Sequence, residues 1–345
     1  VEENRMNKEV TIYDLAEKLG LSPSTVSRAL NDHPALNENT KAKVNAAAKK
    51  YGYQLNHFAK NLRKKSTNTL GVIVPKLDSY FMANVLGGME KVANKAGYNL
   101  IIAQSLESEK KEQANAVTLY NSRVDGLLVS ASFDTQTTSH FEPFINKNIP
   151  TLFFDRHLNL SHVPKIIIDN FQAGYDATKH LIECGRKNIW HVTGSLQRNV
   201  YSDRLKGYQQ ALKDFGLSSG ENGVKVCNLK MEECPAIVKA IAQSETRPDG
   251  IFVSNDAFAA NIMTSIKHLG MDVPKDVSIV GFNDDPIARI IDPQLSTVHY
   301  PAEEMGERAV QSLIDHLSGK SNIHEAETMI LPYKLIVRGT SLPKA

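Results

Sequence analysis

The sequence predicts a small all-α helix-turn-helix head followed by an α/β core of two doubly wound parallel-sheet lobes. From Thr11 to about Tyr53 the apolar spacing is helical throughout. From Leu70 onward, continuous apolar strands alternate with amphipathic helices, the pattern of parallel sheets covered on both faces. Nine such strands lie between Leu70 and Asp284, more than one sheet holds comfortably, so two lobes are expected.

In the head, Ile12, Leu15, Ala16 and Leu19 fall at i, i+3, i+4 and i+7, and Gly20 follows as a natural helix stop. Ser22 is the expected cap of a second helix, with Pro23 at its first position and Val26, Ala29 and Leu30 as the inner stripe. Asn37 is the expected cap of a third, whose inner face is Val44, Ala47, Ala48 and Tyr51. A tight glycine-containing turn between the first two completes a helix-turn-helix module. The next stretch, LNHFAKNLRKKSTN, has five basic residues counting His57 and reads as a hinge.

The expected core strands are LGVIVP (70–75), NLIIAQS (99–105), GLLVSAS (126–132), TLFFD (151–155), KIIID (165–169), IWHVTG (189–194), VKVCNL (224–229), GIFVSND (250–256) and VSIVGFND (277–284). TLFFDRHLNLSHVPKIIID is expected to cross between the lobes, with later crossings near Leu295–Tyr300 and Glu325–Leu331. The expected domains are a head at 1–54, a hinge at 55–68, a first lobe at 69–164 with 296–326, and a second at 165–295 with 327–345.

Composition narrows the class of protein. The 345 residues are 41% apolar and 23% charged, ordinary for a globular chain of two or three domains. No run of about 18 apolar residues suggests a membrane span, and VEENRMNKEV has no apolar signal-peptide core. Three scattered cysteines, without CxxC or HxxxH spacing, suit free thiols in a reducing cytoplasm; neither a metal nor a cofactor is expected. Residues 1–66 hold twelve Lys/Arg against seven Asp/Glu, a surplus of +5, whereas the remainder sums to −3. A basic head on a mildly acidic body points to a polyanionic partner, although basic termini also occur as solvated tails.

Away from the inner stripe, the second helix presents Ser24, Thr25, Ser27 and Arg28. Short donors suit phosphates, and an arginine can grip guanine through two parallel hydrogen bonds. The plain alternative is a solvated helix face; the preceding helix, the basic hinge and the head's charge favour DNA. Leu62, a lone apolar residue in AKNLRKK, reads either as a tether to the body or as a minor-groove wedge.

In the core, polar residues gather where strands end: Asp155 and Arg156, Asn255 and Asp256, and Asn283 to Asp285. Open α/β sheets bind ligands outside the carboxyl ends of their strands, and carboxylates, amides and arginines there suit a polyhydroxylated ligand. The same residues also serve as helix caps, Asp256 among them. Arg198 and Arg204 are placed to close such a cleft, and Tyr80 and Phe81 to stack on a ring or fill the core. No G-x-S-x-G, P-loop, GxGxxG after a strand or H-E-x-x-H occurs, so an enzyme is not expected. The adjacent Asp284 and Asp285 diverge in direction and do not make a glycosidase pair evident.

The head sequence VTIYDLAEKLGLSPSTVSRALN, then TKAKVNAAAKKYGYQLNHFAKNL and LGVIVP, closely resembles the opening of lactose-repressor/galactose-repressor (LacI-type) transcription regulators. The similarity continues through VDGLLVS, FFDR, GYDATKHLIECGRKNIWHVTG, DRLKGYQQAL, FVSNDAFAANIM, VSIVGFNDD and YKLIVRGTS, essentially the whole chain from Val10.

This resemblance implies a cytoplasmic homodimer that binds near-palindromic operator DNA as a repressor. It implies a hinge that orders on DNA and a core like periplasmic sugar-binding proteins. Pro23, Ser24 and Arg28 would meet base edges. Thr11, Tyr13, Ser22, Thr25, Ser27, Asn31, Asn37, Tyr53 and Asn56 would mostly hold backbone, with His57 and Lys60 on the same surface, and Ala59 and Leu62 would enter the minor groove. A kink by Leu62 would favour a flexible step such as CG at the operator centre.

The implied effector contacts are Tyr80, Phe81, Asp155, Arg198, Arg204, Asn255, Asp256, Asn283 and Asp284, around a sugar, a sugar phosphate or a purine-like molecule. Two positions depart from the pattern. Asn283 stands where many members carry an acid, and Lys60 replaces a common hinge arginine. VRGTSLPKA ends without a leucine-heptad tail, so a dimer is expected rather than a tetramer. The competing reading is a carbohydrate-binding receptor that uses the same body without binding DNA.

Overall fold

In the computed structural model, residues 10–53, 66–160, 162–220, 223–325 and 328–342 are described. The chain divides into two units, Val1–Thr67 and Asn68–Ala345. Asn56, His57, Ala59, Lys60 and Leu62 lie outside the described residues.

Three helices make the first unit: α1 (Ile12–Leu19), α2 (Pro23–Leu30) and α3 (Glu38–Lys50). Thr11 and Asp14 form a capping box on α1, and Gly20 ends it in the left-handed region at φ 64°. The Ser22 side chain accepts from the Thr25 N–H, with Pro23 at the first position of α2, and Asn37 accepts from the Thr40 N–H at the start of α3. Leu15, Ala16, Val26, Ala29, Val44, Ala47 and Ala48 form the core between them. Lys41 is buried because Asp32 (2.6 Å) and Glu38 (2.9 Å) both hold its ammonium. Tyr51, expected inside, is instead exposed, with the Lys18 ammonium 4.7 Å from its ring centroid. Its place is taken by Tyr53: Gly52 turns the chain back at φ 67°, and the Tyr53 N–H donates to the Ala48 carbonyl at 2.9 Å.

In the second unit, the first sheet has the order β11-β5-β4-β3-β1-β2, all parallel. Its strands are β1 (Thr69–Val74), β2 (Asn99–Gln104), β3 (Gly126–Val129), β4 (Thr151–Phe154), β5 (Lys165–Ile168) and β11 (Met329–Leu331). The second sheet runs β12-β10-β9-β8-β6-β7, with only the edge strand β12 antiparallel. It comprises β6 (Ile189–Thr193), β7 (Val224–Val226), β8 (Gly250–Val253), β9 (Ser278–Asn283), β10 (Ser296–His299) and β12 (Lys334–Ile336). Both sheets are doubly wound, and each puts its switch point beside its first strand.

The sheets shift the lobe boundaries from those expected. The sequence places residues 165–168 in the second lobe, but β5 pairs with β4 in the first sheet. It places residues 296–299 in the first lobe, but β10 pairs with β9 in the second, and residues 329–331, expected in the second lobe, return to the first sheet beside β5. The chain therefore crosses just after Ile168, near Tyr300, and between Leu331 and Lys334. STVH and MIL are too short, and STVH too polar, to read as strands in the sequence.

Helices α4 (Tyr80–Lys95), α5 (Glu109–Asn121) and α6 (Glu142–Asn146) belong to the first lobe. The second lobe carries α7 (Asn170–Glu183), α8 (Asn199–Asp214), α9 (Cys234–Gln243), α10 (Asp256–His268) and α11 (Ile287–Ile290). The last helix, α12 (Ala302–Leu317), returns to pack on α4. Two helix pairs meet backbone to backbone through glycine. A Cβ on Gly306 would lie 1.9 Å from the Val85 carbonyl oxygen, and one on Gly207 would lie 2.0 Å from that of Phe171.

Candidate functional site

The head presents one polar face. With Val26 and Ala29 buried, α2 leaves Pro23, Ser24 and Arg28 exposed, and Thr25 and Ser27 half-buried. Several expected contacts also hold local structure. Ser22 Oγ lies 2.8 Å from Ser24 Oγ and 2.9 Å from Thr25 Oγ1, and Asn31 donates to the Ser27 carbonyl at 2.7 Å. Thr11 and Asn37 are helix caps. Tyr13 is 70% exposed, and Tyr53 is half-buried against the head core. Arg28 makes no side-chain hydrogen bond or ion pair among the described residues, so its guanidinium is presented outward.

In the core unit, a cavity of about 640 Å³ opens where the carboxyl ends of the two sheets face each other. The first lobe supplies Tyr80, Phe81, Glu107, Phe133, Asp155 and Arg156; the second supplies Tyr201, Asn255 and Asp285. Asp155 sits just past β4 in the left-handed region, at φ 58°. Its carboxylate accepts from Tyr300 Oη at 3.0 Å and Ser130 Oγ at 3.4 Å. Burial pushes this carboxyl up, against the pull of Arg156 and Arg204. Arg156 Nη1 donates to both oxygens of Glu107 at 2.9 and 3.0 Å, with its guanidinium 4.3 Å from the Phe133 ring centroid.

Asp285 is 7% exposed, its Oδ1 has no partner among the described residues, and burial pushes its pKa up to about 6. Around the wall, Lys76, Arg156 and Lys230 face Asp78, Glu107, Asp155, Glu232 and Asp285, a surplus of carboxylates set between aromatic rings. Such a wall suits a ligand rich in hydroxyl or N–H donors.

Of the expected effector contacts, the cavity brings together Tyr80, Phe81, Asp155 and Asn255. Asn255 also caps α10 through the Phe258 N–H. The other five lie elsewhere. Arg204 is sealed beneath the cavity, with its guanidinium 3.5 Å from the Phe282 ring centroid and donating to Asn170 and the Ser254 carbonyl. Arg198 lines a separate cavity. Asn283, at φ 117°, and Asp284 border a smaller pocket of about 170 Å³ with Tyr80 and Phe81. Asp284 is held there by Arg338 (2.6 Å), Arg289 (2.7 Å) and His299 (3.3 Å).

Asp256 is fully buried, with one oxygen accepting from Thr297 Oγ1 at 2.7 Å and the other from the Asp285 N–H at 2.8 Å. It packs on Gly281, where a Cβ would lie 2.1 Å from its Oδ1, so it ties α10 to the second sheet. Glu107, Phe133 and Tyr201 were not among the expected contacts. Glu107 and Phe133 follow strands β2 and β3, so the rule that singled out Asp155 reaches them too; nothing in the pattern around Tyr201 does.

Burial raises Asp256 to about 7, as well as Asp285 to about 6. Between about pH 4 and pH 7 the folded chain holds protons on these carboxyls that the unfolded chain releases. Stability therefore falls as pH rises through that window, by up to about 1.4 kcal/mol per pH unit per group. Asp256→Asn keeps an acceptor for the Asp285 N–H, turns its amide N–H to Thr297 Oγ1, which then accepts instead of donating, and is expected to flatten part of the slope in urea melts across the window. An unchanged slope would place its origin elsewhere.

Residues 11–56 match the family described as bacterial regulatory proteins, lacI family, and residues 178–341 match the periplasmic binding protein-like domain. The chain is 32% identical over 330 residues to the transcriptional repressor PurR of Yersinia enterocolitica, covering 95% of this chain and 96% of the relative. It is 29% identical over 330 residues to catabolite control protein A of Priestia megaterium, covering 95% and 98%. Among solved structures, the transcription regulator CcpA of Lactococcus lactis aligns over 79% of this chain and 99% of its own, with TM-score 0.72 and 26% identity. The lac repressor dimer bound to operator and the anti-inducer ONPF shares the fold over 97% of this chain and 100% of its own, with TM-score 0.83 and 23% identity.

Proposed function

The chain belongs to the lacI family of bacterial regulatory proteins, and from that premise we propose that its head reads a near-palindromic operator while its lobes hold a controlling effector. It is a DNA-binding transcription regulator, a repressor by its relatives, and not an enzyme. A cytoplasmic location at the nucleoid follows from that role. No helix among the described residues is long and apolar enough to cross a membrane.

The observation that carries this reading is α2. Its cap and apolar stripe are engaged within the head, and its remaining face offers Pro23, Ser24 and Arg28 together. Pro23 brings no hydrogen-bonding side chain, so Arg28, Ser24 and DNA shape carry the base preference. Thr11, Tyr13, Ser22, Thr25, Ser27, Asn31, Asn37, Tyr53, Asn56, His57 and Lys60 make the backbone-holding surface, with Ala59 and Leu62 in the minor groove. A second copy supplies the other half-site. Ile101 and Ile102, about 40% exposed on the edge strand β2, supply apolar surface for such a copy to cover.

The effector is a hydroxyl-rich or purine-like small molecule in the central cavity, contacted by Tyr80, Phe81, Asp155 and Asn255 with Arg156 and Asp285. A ligand that touches Asp155 on one lobe and Asn255 or Asp285 on the other favours one closure state of the lobes. Its coupling to DNA affinity cannot exceed its preference between those states. Selective binding to a palindromic duplex over its scrambled counterpart tests the regulator reading against a receptor that binds no DNA.

A further inference from the structure

We propose that Cys227 and Cys234 form a redox modification site, which a hydroperoxide converts to a reversible disulfide that locks one wall of the central cavity. Both are free thiols, as is Cys184. They flank residues 228–233, between β7 and α9, and this segment supplies Asn228, Leu229, Lys230, Met231 and Glu232 to the cavity wall.

The chain doubles back between the two cysteines. Leu229 stands in the left-handed region at φ 55°. The Glu233 carboxylate accepts from the Asn228 N–H at 2.8 Å, the Asn228 side-chain amide at 3.0 Å and the Lys230 N–H at 3.1 Å. The residues just inside each cysteine are therefore clasped to one another. Cys234 belongs to the apolar core of the second lobe with Ile237 and Ile241 of α9, and Cys227 packs against that same core. Burial raises the Cys227 thiol, with the Leu229 N–H pulling it down and Glu233 and Cys234 pushing it further up, so the two sulfurs are near enough to act on each other. Cys184 is held elsewhere, at the end of α7, where its thiol donates to the Ser341 carbonyl at 3.0 Å.

Exposure gives the two thiols different roles. Cys227 is half-buried and lines a surface pocket of about 590 Å³ with Ser195, Gln197 and Glu233, where a small oxidant reaches it. Cys234, 3% exposed, meets the sulfur beside it once that sulfur is oxidised.

With hydrogen peroxide, the Cys227 thiolate attacks one oxygen and the O–O bond breaks. The departing hydroxide takes the proton that Cys227 had released and leaves as water, and Cys227 becomes a sulfenic acid. The Cys234 thiolate then attacks the Cys227 sulfur, the S–O bond breaks, and hydroxide leaves as water with the proton from Cys234. Two thiols and one peroxide become one disulfide and two waters; the sulfurs lose two electrons and the peroxide gains them. A dithiol reductant restores both thiols by exchange.

The new bond closes a ring around residues 228–233, which Met231 already ties to α10 by accepting from the Asn261 side chain at 2.9 Å. A closed ring has fewer conformations in which the wall moves aside. Any effect on an effector rests on the regulatory reading above; the bond and the locking of the wall do not.

The test exposes the full chain to hydrogen peroxide, unfolds it, caps the remaining thiols with N-ethylmaleimide and reads intact and peptide masses. A single cap on Cys184 is expected, with the Cys227 and Cys234 peptides joined, and caps on all three after dithiothreitol. The rate is expected to rise about tenfold from pH 7 to pH 8, because burial keeps both thiols largely protonated there. Cys234→Ser is expected to stop at a sulfenic acid on Cys227 that dimedone traps. Cys227→Ser, at the half-buried position, is expected to leave Cys234 open to the cap, and decides the matter if Cys234→Ser does not fold. Oxidation is expected to slow backbone hydrogen exchange several-fold at residues 228–233 in the parent chain and not in Cys227→Ser. Three caps per chain, a bond that includes Cys184, a bond between chains or a rate independent of pH would overturn the proposal. Joined cysteines with unchanged exchange at 228–233 would overturn the locking of the wall. DNA binding by the head enters none of these readouts.

Discussion

Replacing Arg28 with alanine is expected to cost about 1–3 kcal/mol of operator binding, concentrated at one base pair of each half-site. The head should survive the change, because Arg28 is exposed and its side chain has no described partner to lose. Its helix is fixed by the Ser22 cap and by Val26 and Ala29 in the core. Ser24 is already engaged with Ser22 at 2.8 Å, and Pro23 has no donor, so Arg28 is the outward group of α2 with donors to spare. Fluorescence anisotropy on duplexes with each base pair permuted checks this. A loss uniform over all sequences would make Arg28 a phosphate contact.

A larger effect on stability is expected from Gly207→Val, roughly 3 kcal/mol or more in urea unfolding of the core. The added Cβ would lie 2.0 Å from the Phe171 carbonyl oxygen and 2.6 Å from the Tyr175 nitrogen, both backbone atoms of α7 that cannot swing aside. The helices must separate, and α8 carries Tyr201 of the central cavity as well as Arg204 beneath it. Gly87 is the control. A Cβ there meets nothing within 4 Å, so Gly87→Ala is expected to stabilise by about 0.5–1 kcal/mol through helix propensity alone. Equal effects at the two glycines would show that helix contact is not what Gly207 protects.

The head was legible almost residue by residue, because caps and helical periodicity are local signals: Gly20, Ser22, Pro23 and Asn37 each act where the pattern put them, whereas the cap at Thr11 is added by the structure. Tyr51 was misplaced because the helix ends at Lys50, and the left-handed turn at Gly52 hands its inner position to Tyr53. Strands with apolar runs were equally plain, whereas lobe membership was not. β5 and β10 each stay in the sheet of the strand just before them in the chain, β4 and β9, and a four-residue segment carries no mark of whether the chain crosses before or after it.

The central cavity was legible in kind, through polar residues at strand ends, but not in detail. Asp256 and Asp285 both follow strands and differ by direction alone. One turns inward to Thr297 and the other lines the cavity. Arg198 and Arg204 share one sequence loop and part company because α8 starts between them, placing one at the seam and the other under Phe282.

The central claim is that one chain joins a DNA-reading head to an effector-responsive core, and its most direct test is an anisotropy titration of the full protein on a palindromic duplex and on its scrambled counterpart. Salt would be varied from about 50 to 200 mM. Selective binding to the palindrome is expected, by a factor of about 10³ or more, with affinity falling steeply as salt rises through counterion release. Equal affinity for both duplexes, or no binding at low salt, would contradict the account.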